Sequence, residues 1–184
     1  MAIAEKFRSQ WWQITLLAAL IGIMGLFFAG LGRDVSFIPS PLIGRAAPQF
    51  VLPELGGKGE VTLAQFRGAP VIVNFWASWC AACSQEHDLL VQLGQRFADS
   101  NQVRLVGINY KDSESGALRF QAKRGAFPYP SAVDRNGRVG LDFGVYGLPE
   151  TFFLDDTGKV IAKHVGPLTA RLIAKNLAQL GLKQ

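Results

Sequence analysis

The apolar residues of this chain fall into one long run and then a series of short ones. From Ile14 to Leu31 the sequence is almost wholly apolar, interrupted by Thr15 and three glycines, and no charge lies between Arg8 and Arg33. These 18 residues sit at the lower edge of the roughly 17–25 that cross a bilayer as a helix. Trp11 and Trp12 extend the run as interfacial aromatics. Lys6 and Arg8 precede it, whereas Arg33 beyond it is offset at once by Asp34. The positive-inside bias therefore predicts a cytoplasmic start over 1–10 and an anchor over 11–32, with everything after it on the far side of the membrane. Two other readings exist. A buried core helix is one, and a cleaved signal peptide is the other. The best cleavage candidate, Ala29-Gly30-Leu31, puts a leucine where a small residue is needed. Pro39, Pro41 and Pro48 disfavour helix and predict an extended tether over 33–48, leaving 49–184 as the folded domain.

From Gln49 onward, apolar runs alternate with turn signals. Val71-Ile72-Val73-Asn74-Phe75-Trp76 has the length and β-branched content of a central buried strand. Between Cys80 and about Asp99, Leu89, Leu90, Leu93 and Phe97 recur at helical spacing, which predicts a strand, turn and helix with the cysteines at the helix start. Val103 to Ile108 reads as a second buried strand and Ser115 to Arg124 as a short helix. Thr151–Leu154 and Val160–Val165 flank Asp155-Asp156-Thr157-Gly158, a hairpin signature. Thr169 is the expected N-cap of a last helix ending near Gly181. The order β, α, β, α, hairpin, helix predicts an α/β domain on a mixed sheet.

Composition narrows the classes. At 184 residues the chain has room for one domain and an appendage, and 49% hydrophobic against 18% charged residues excludes a disordered chain. The formal charge of +5 raises the question of nucleic acid, but the 19 basic residues are scattered. The densest groups, Lys123-Arg124 and Arg135 with Arg138, are too short to track phosphates, and no nucleic-acid partner is expected.

The chemistry lies in Cys80-Ala81-Ala82-Cys83, which holds both cysteines of the chain. At a helix N-terminus, free backbone N–H groups and the helix dipole favour a thiolate on the first cysteine. A thiolate attacks disulfides, and a second thiol one turn on resolves the mixed disulfide. Cys80 is thus the expected nucleophile and Cys83 the resolver. A metal centre would want about four ligands, and only His87 and His164 are left to join the cysteines, so no metal is assigned. Covalent haem attachment needs a histidine where Ser84 stands. A purely structural cysteine pair is the remaining bland reading.

The string Asn74-Phe75-Trp76-Ala77-Ser78-Trp79-Cys80-Ala81-Ala82-Cys83, with Glu86-His87, Gly107-Ile108-Asn109-Tyr110-Lys111 and Gly144-Val145-Tyr146-Gly147-Leu148-Pro149-Glu150-Thr151-Phe152, resembles the thioredoxin superfamily. Within it the chain is similar to the membrane-tethered thiol:disulfide oxidoreductases of cytochrome c biogenesis, the DsbE type, over residues 40–180. The resemblance implies a thioredoxin-like α/β fold, a central mixed sheet flanked by helices, joined to an N-terminal transmembrane helix. It implies a cis Pro149 facing the cysteines, with the backbone of Leu148 open to an extended substrate. It also implies a periplasmic domain on the bacterial inner membrane that reduces the Cys-x-x-Cys-His segment of apocytochrome c, or a thiol carrier of that pathway. A transmembrane thiol reductase would supply electrons, and no bound cofactor is required.

Two departures matter. Asn74 stands where thioredoxin has a buried aspartate, so proton transfer for Cys83 falls to Glu86, one turn along the helix, or to Glu150. Ala81-Ala82 lacks the proline usual in this turn. Trp79 is expected to offer clients an apolar landing surface, with Tyr146 and Phe127 bordering the groove, while Trp76 and His87 read as packing residues. Two competing functions stand beside the reductase: a thiol oxidant or isomerase working in the opposite direction, and a non-enzymatic module holding apocytochrome c or copper.

Overall fold

A computed structural model describes residues 2–31, 40–57, 59–100 and 102–182. It divides into two compact units, residues 1–38 and 39–184.

The first unit is a helix, α1 (Ala2–Leu31). Trp11, Trp12 and the apolar side chains of 14–28 are exposed on it. Among the described residues no helix is long and apolar enough to cross a membrane. Residues 32–39, the first part of the expected tether, lie outside the described residues. The second part, 40–48, lies on the folded unit. Ala47 is buried, Leu42 packs on the core, and Ala46 bridges Lys159.

The folded unit is built on a five-stranded sheet in the order β5-β4-β3-β6-β7. Its strands are β3 (Val71–Trp76), β4 (Arg104–Tyr110), β5 (Ser131–Asp134), β6 (Glu150–Leu154) and β7 (Val160–Val165). A small antiparallel pair, β1 (Val51–Pro53) and β2 (Glu60–Thr62), precedes it. Strands β3, β4 and β5 are parallel, joined through α2 (Cys83–Phe97) and α3 (Glu114–Arg124), while β6 and β7 form an antiparallel hairpin against β3. A short α4 (Arg138–Asp142) and a closing α5 (Ala170–Gln179) complete the chain. Thr169 caps α5 as expected, its hydroxyl accepting the Leu172 N–H.

Strand periodicity decides which residues face the site. Val71, Val73 and Phe75 enter one core with Phe143 and Phe152, while Ile72 enters the other with Leu90, Phe153, Ile173 and Leu177 of the α2 and α5 face. Asn74 and Trp76 share the parity of Ile72, so they point to the α2 side, toward the helix that carries the cysteines.

Candidate redox site

The site forms where β3 ends. Every residue of β3 is buried, which fixes its C-terminal end, and the chain turns at Ala77 with the Cys80 N–H bonded to its carbonyl. Helix α2 then starts at Cys83 rather than at Cys80, so the first cysteine lies in the turn and the second opens the helix. The two are joined as a disulfide, and the Cys83 N–H points at the Cys80 sulfur 3.0 Å away. Cys80 is 6% exposed and Cys83 3%. The Cys80 sulfur thus receives a helix-terminal N–H, which favours a thiolate there once the bond is reduced. Both sulfurs sit in a cluster with Trp76, Ala77 and Ala117, bordered by Ala82, Phe127 and Leu148.

Glu86 lies on α2 one turn beyond Cys83 and is 1% exposed. Asn74 donates to its Oε1 (2.8 Å) and the Leu168 N–H to its Oε2 (2.6 Å). Burial pushes its carboxyl up from an ordinary 4.5 to about 7, against the lowering effect of those two donors. Asn74 is itself oriented by the Thr151 hydroxyl at 3.0 Å. A carboxyl at this position changes protonation near neutrality, as an acid–base partner for a thiol must.

Glu150 has a different environment. Its Oε1 accepts the N–H groups of Tyr146 (2.9 Å) and Gly147 (3.0 Å), and its Oε2 faces the Lys163 ammonium at 2.8 Å, an ion pair out of hydrogen-bonding alignment. Lys163 donates to the Gly144 carbonyl at 2.8 Å, and its ammonium lies 4.5 Å from the centre of the Tyr146 ring. The pair therefore holds the 144–149 loop. That loop delivers Leu148 to the cysteine cluster and carries the cis Leu148–Pro149 bond.

Around the mouth, Trp79 is 61% exposed and Tyr146 is also exposed. Trp79 donates its indole N–H to the Lys111 carbonyl at 3.2 Å. Phe127 is half-buried, stacked on Tyr129, edge-on to Trp76 and packed against the cysteine cluster, so it is a packing residue rather than an exposed one like Trp79 and Tyr146. His87 is a packing residue. Its ring lies against Phe120 and Phe127, one nitrogen meets the Gly125 carbonyl at 2.9 Å, and burial lowers its pKa.

Two residues that sequence reasoning missed are Asp112 and Lys163. Asp112 accepts four hydrogen bonds around the turn before Cys80. Its one sequence signal is an Asp-Ser pair at the start of α3. Lys163 carries no stronger signal than a charge in mid-strand, between Ala162 and His164. Among the described residues no group of three or more His, Cys, Asp or Glu side chains is placed to hold a metal ion.

Comparison with known proteins agrees with this geometry. The Redoxin family model matches residues 42–180. The chain is 39% identical to the thiol:disulfide interchange protein DsbE of Pseudomonas fluorescens biotype C, over 85% of each chain. It is 37% identical to the thiol:disulfide interchange protein HelX of Rhodobacter capsulatus, over 89% of this chain and 92% of that one. Among solved structures it resembles a putative thiol:disulfide interchange protein DsbE from Chlorobium tepidum, with a TM-score of 0.68 at 30% identity, over 75% of this chain and 96% of that one. With its Cys-x-x-Cys at the start of α2 and its thioredoxin-like sheet, the chain belongs to the Redoxin family, as a thiol:disulfide oxidoreductase of the DsbE and HelX type.

Proposed function

We propose that this oxidoreductase works as a reductant on the periplasmic side of the bacterial inner membrane. Its clients would be the disulfide of the Cys-x-x-Cys-His segment in apocytochrome c, or a thiol carrier of the same pathway. The observation that carries the reading is the Cys80–Cys83 pair at a helix start with Glu86, poised near neutrality, one turn behind it. The resemblance of the 144–152 string to oxidoreductases of cytochrome c biogenesis supports the client. The apolar run of α1 supports the anchor, and tethering would raise the effective concentration of the domain beside membrane-bound donor and acceptor.

The reaction is two exchanges. Cys80 thiolate attacks one sulfur of the client disulfide, that bond breaks, and the other client sulfur leaves as a thiolate. Cys83 gives its proton to Glu86 and attacks the Cys80 sulfur, expelling the second client thiolate and closing the Cys80–Cys83 disulfide. Two electrons pass to the client. A transmembrane thiol reductase then restores the dithiol. Trp79 and Tyr146 would flank the bound segment, with the Leu148 backbone free to pair with it before the cis Pro149. Among the described residues none hydrogen-bonds the Leu148 N–H or carbonyl.

The test is Cys83→Ser, which should accumulate a mixed disulfide between Cys80 and a Cys-x-x-Cys-His peptide. No trapped adduct would refute the exchange. An equilibrium titration against glutathione should give a potential below roughly −200 mV, and a value near −120 mV would mark an oxidant. Resistance of the full chain to alkaline carbonate extraction from membranes tests the anchor.

A further inference from the structure

Trp79 is exposed, yet its position is set from behind. The Asp112 carboxylate, itself buried, accepts from the Ser78 N–H (2.6 Å) and the Asn109 amide (3.0 Å) on Oδ2, and from the Ser78 hydroxyl (2.9 Å) and the Ser113 N–H (2.7 Å) on Oδ1. Four donors drawn from the end of β4, the start of α3 and the turn before the nucleophile thus meet on one side chain. Beside it, Lys111 adopts a left-handed backbone with φ of 47°. A residue with a Cβ holds that conformation only where its surroundings impose it. Here the Lys111 N–H bonds to the Asp134 carbonyl at 3.0 Å and its own carbonyl receives the Trp79 indole. Gly116 leaves the room for this arrangement. A Cβ there would lie 2.9 Å from the Ser78 hydroxyl oxygen and 3.2 Å from Asp112 Oδ1.

Both ends of Trp79, its backbone through Ser78 and its ring through Lys111, therefore hang on the 109–113 turn. We propose that Asp112 is a positioning residue for client recognition: it fixes Trp79 beside the thiol pair, so its loss weakens client binding without altering the thiols themselves. The hydrogen bonds to the Asp112 carboxylate come from Ser78, Asn109 and Ser113 and not from either cysteine, and Glu86 and the α2 start that tune the thiols lie on other elements. This inference rests on the proposed reading of Trp79 as a client contact.

The experiment is single-turnover reduction of a Cys-x-x-Cys-His peptide disulfide by the pre-reduced full chain in detergent micelles. It is run for wild type, Asp112→Asn, Asp112→Ala, Trp79→Ala and the Trp79→Ala/Asp112→Asn double variant. The half-saturating peptide concentration should rise about tenfold in Asp112→Ala and about threefold in Asp112→Asn, which keeps one acceptor oxygen. The limiting rate should stay within about twofold, and the glutathione-equilibrated potential should be that of wild type. In the Trp79→Ala background Asp112→Asn should add less than about twofold, because a residue acting through another shows full coupling to it. Unchanged half-saturation in Asp112→Asn, a potential that moves with it, or an undiminished effect in the Trp79→Ala background would each overturn the proposal. Wild type that fails to reduce the peptide would instead refute the client assignment. Asp112→Asn is nearly isosteric and remains informative if Asp112→Ala does not fold.

Discussion

Glu86→Gln removes a buried charge without changing the size of the side chain. In the native protein the carboxyl titrates at about 7 rather than at 4.5. Between those values the folded chain keeps a proton that the unfolded chain has released. Stability must therefore fall as pH rises from about 4.5 to about 7 and level off above. The full displacement corresponds to about 3 kcal/mol. His87 acts in the opposite sense, since burial lowers its pKa and favours the folded state as pH rises. That contribution is common to both proteins and cancels in their difference. The new amide can keep the Leu168 N–H on its oxygen. Its NH₂ group can use Asn74 Oδ1, which has no partner, if the Asn74 amide turns over. In urea unfolding of the oxidised folded unit, where the cysteines do not titrate, wild type should lose about 3 kcal/mol relative to Glu86→Gln between pH 4.5 and pH 8. The variant should become the more stable protein at the alkaline end. Glu86→Gln should also slow release of the peptide from the Cys80 mixed disulfide by roughly 10²–10⁴-fold and flatten its pH profile near 7. A stability difference that does not change with pH would refute the assignment of the raised pKa to burial of Glu86.

Other outcomes follow from contacts of the same kind. Lys163→Met leaves the Glu150 carboxylate buried without its cation and should cost about 3–5 kcal/mol in urea unfolding, with most of the loss recovered in Lys163→Met/Glu150→Gln; no recovery would mean that the pair is not the source. Gly107→Ala places a Cβ 2.6 Å from the Ser131 hydroxyl and 3.0 Å from the Trp76 indole nitrogen. It should destabilise by about 1–3 kcal/mol and shift tryptophan fluorescence, and Ser131→Ala should relieve part of both.

Legibility in the sequence followed the strength of the local signal. The β3 run is apolar at five of its six positions and packs on both faces, so a continuous hydrophobic string was enough to find it. The helix after the cysteines announced itself through Leu90 and Leu93, both of which reach the core. By contrast β5 is four residues long and begins and ends with buried polar residues, Ser131 and Asp134, whose partners come from elsewhere in the chain: the Ser131 carbonyl accepts the Leu55 N–H, and the Asp134 carboxylate accepts the Gly140 N–H of α4. No local pattern encodes that. The short β1, β2 and α4 escaped for the same reason. In the site, Cys80, Cys83 and Glu86 were readable because they lie three residues apart along one short stretch of sequence. Lys163 and Asp112 were not, because their partners lie at distant points of the chain, such as Glu150 and Ser78, and the fold alone brings them together.

The segment from 40 to 57 also affects how these molecules behave in company. It reaches the sheet at both margins. Ala46 bridges Lys159, and Gly44 and Arg45 exchange hydrogen bonds with Val160 at the start of β7; Glu54 bridges Ala132, and Leu55 bonds to Ser131 on β5. Bare edge strands invite the edges of other molecules to join them, the first step toward aggregation. Here the chain's own leading stretch occupies part of each margin, and Lys163 and His164 lie on what remains of β7. Edge-to-edge pairing between copies is thus discouraged along both margins of the sheet.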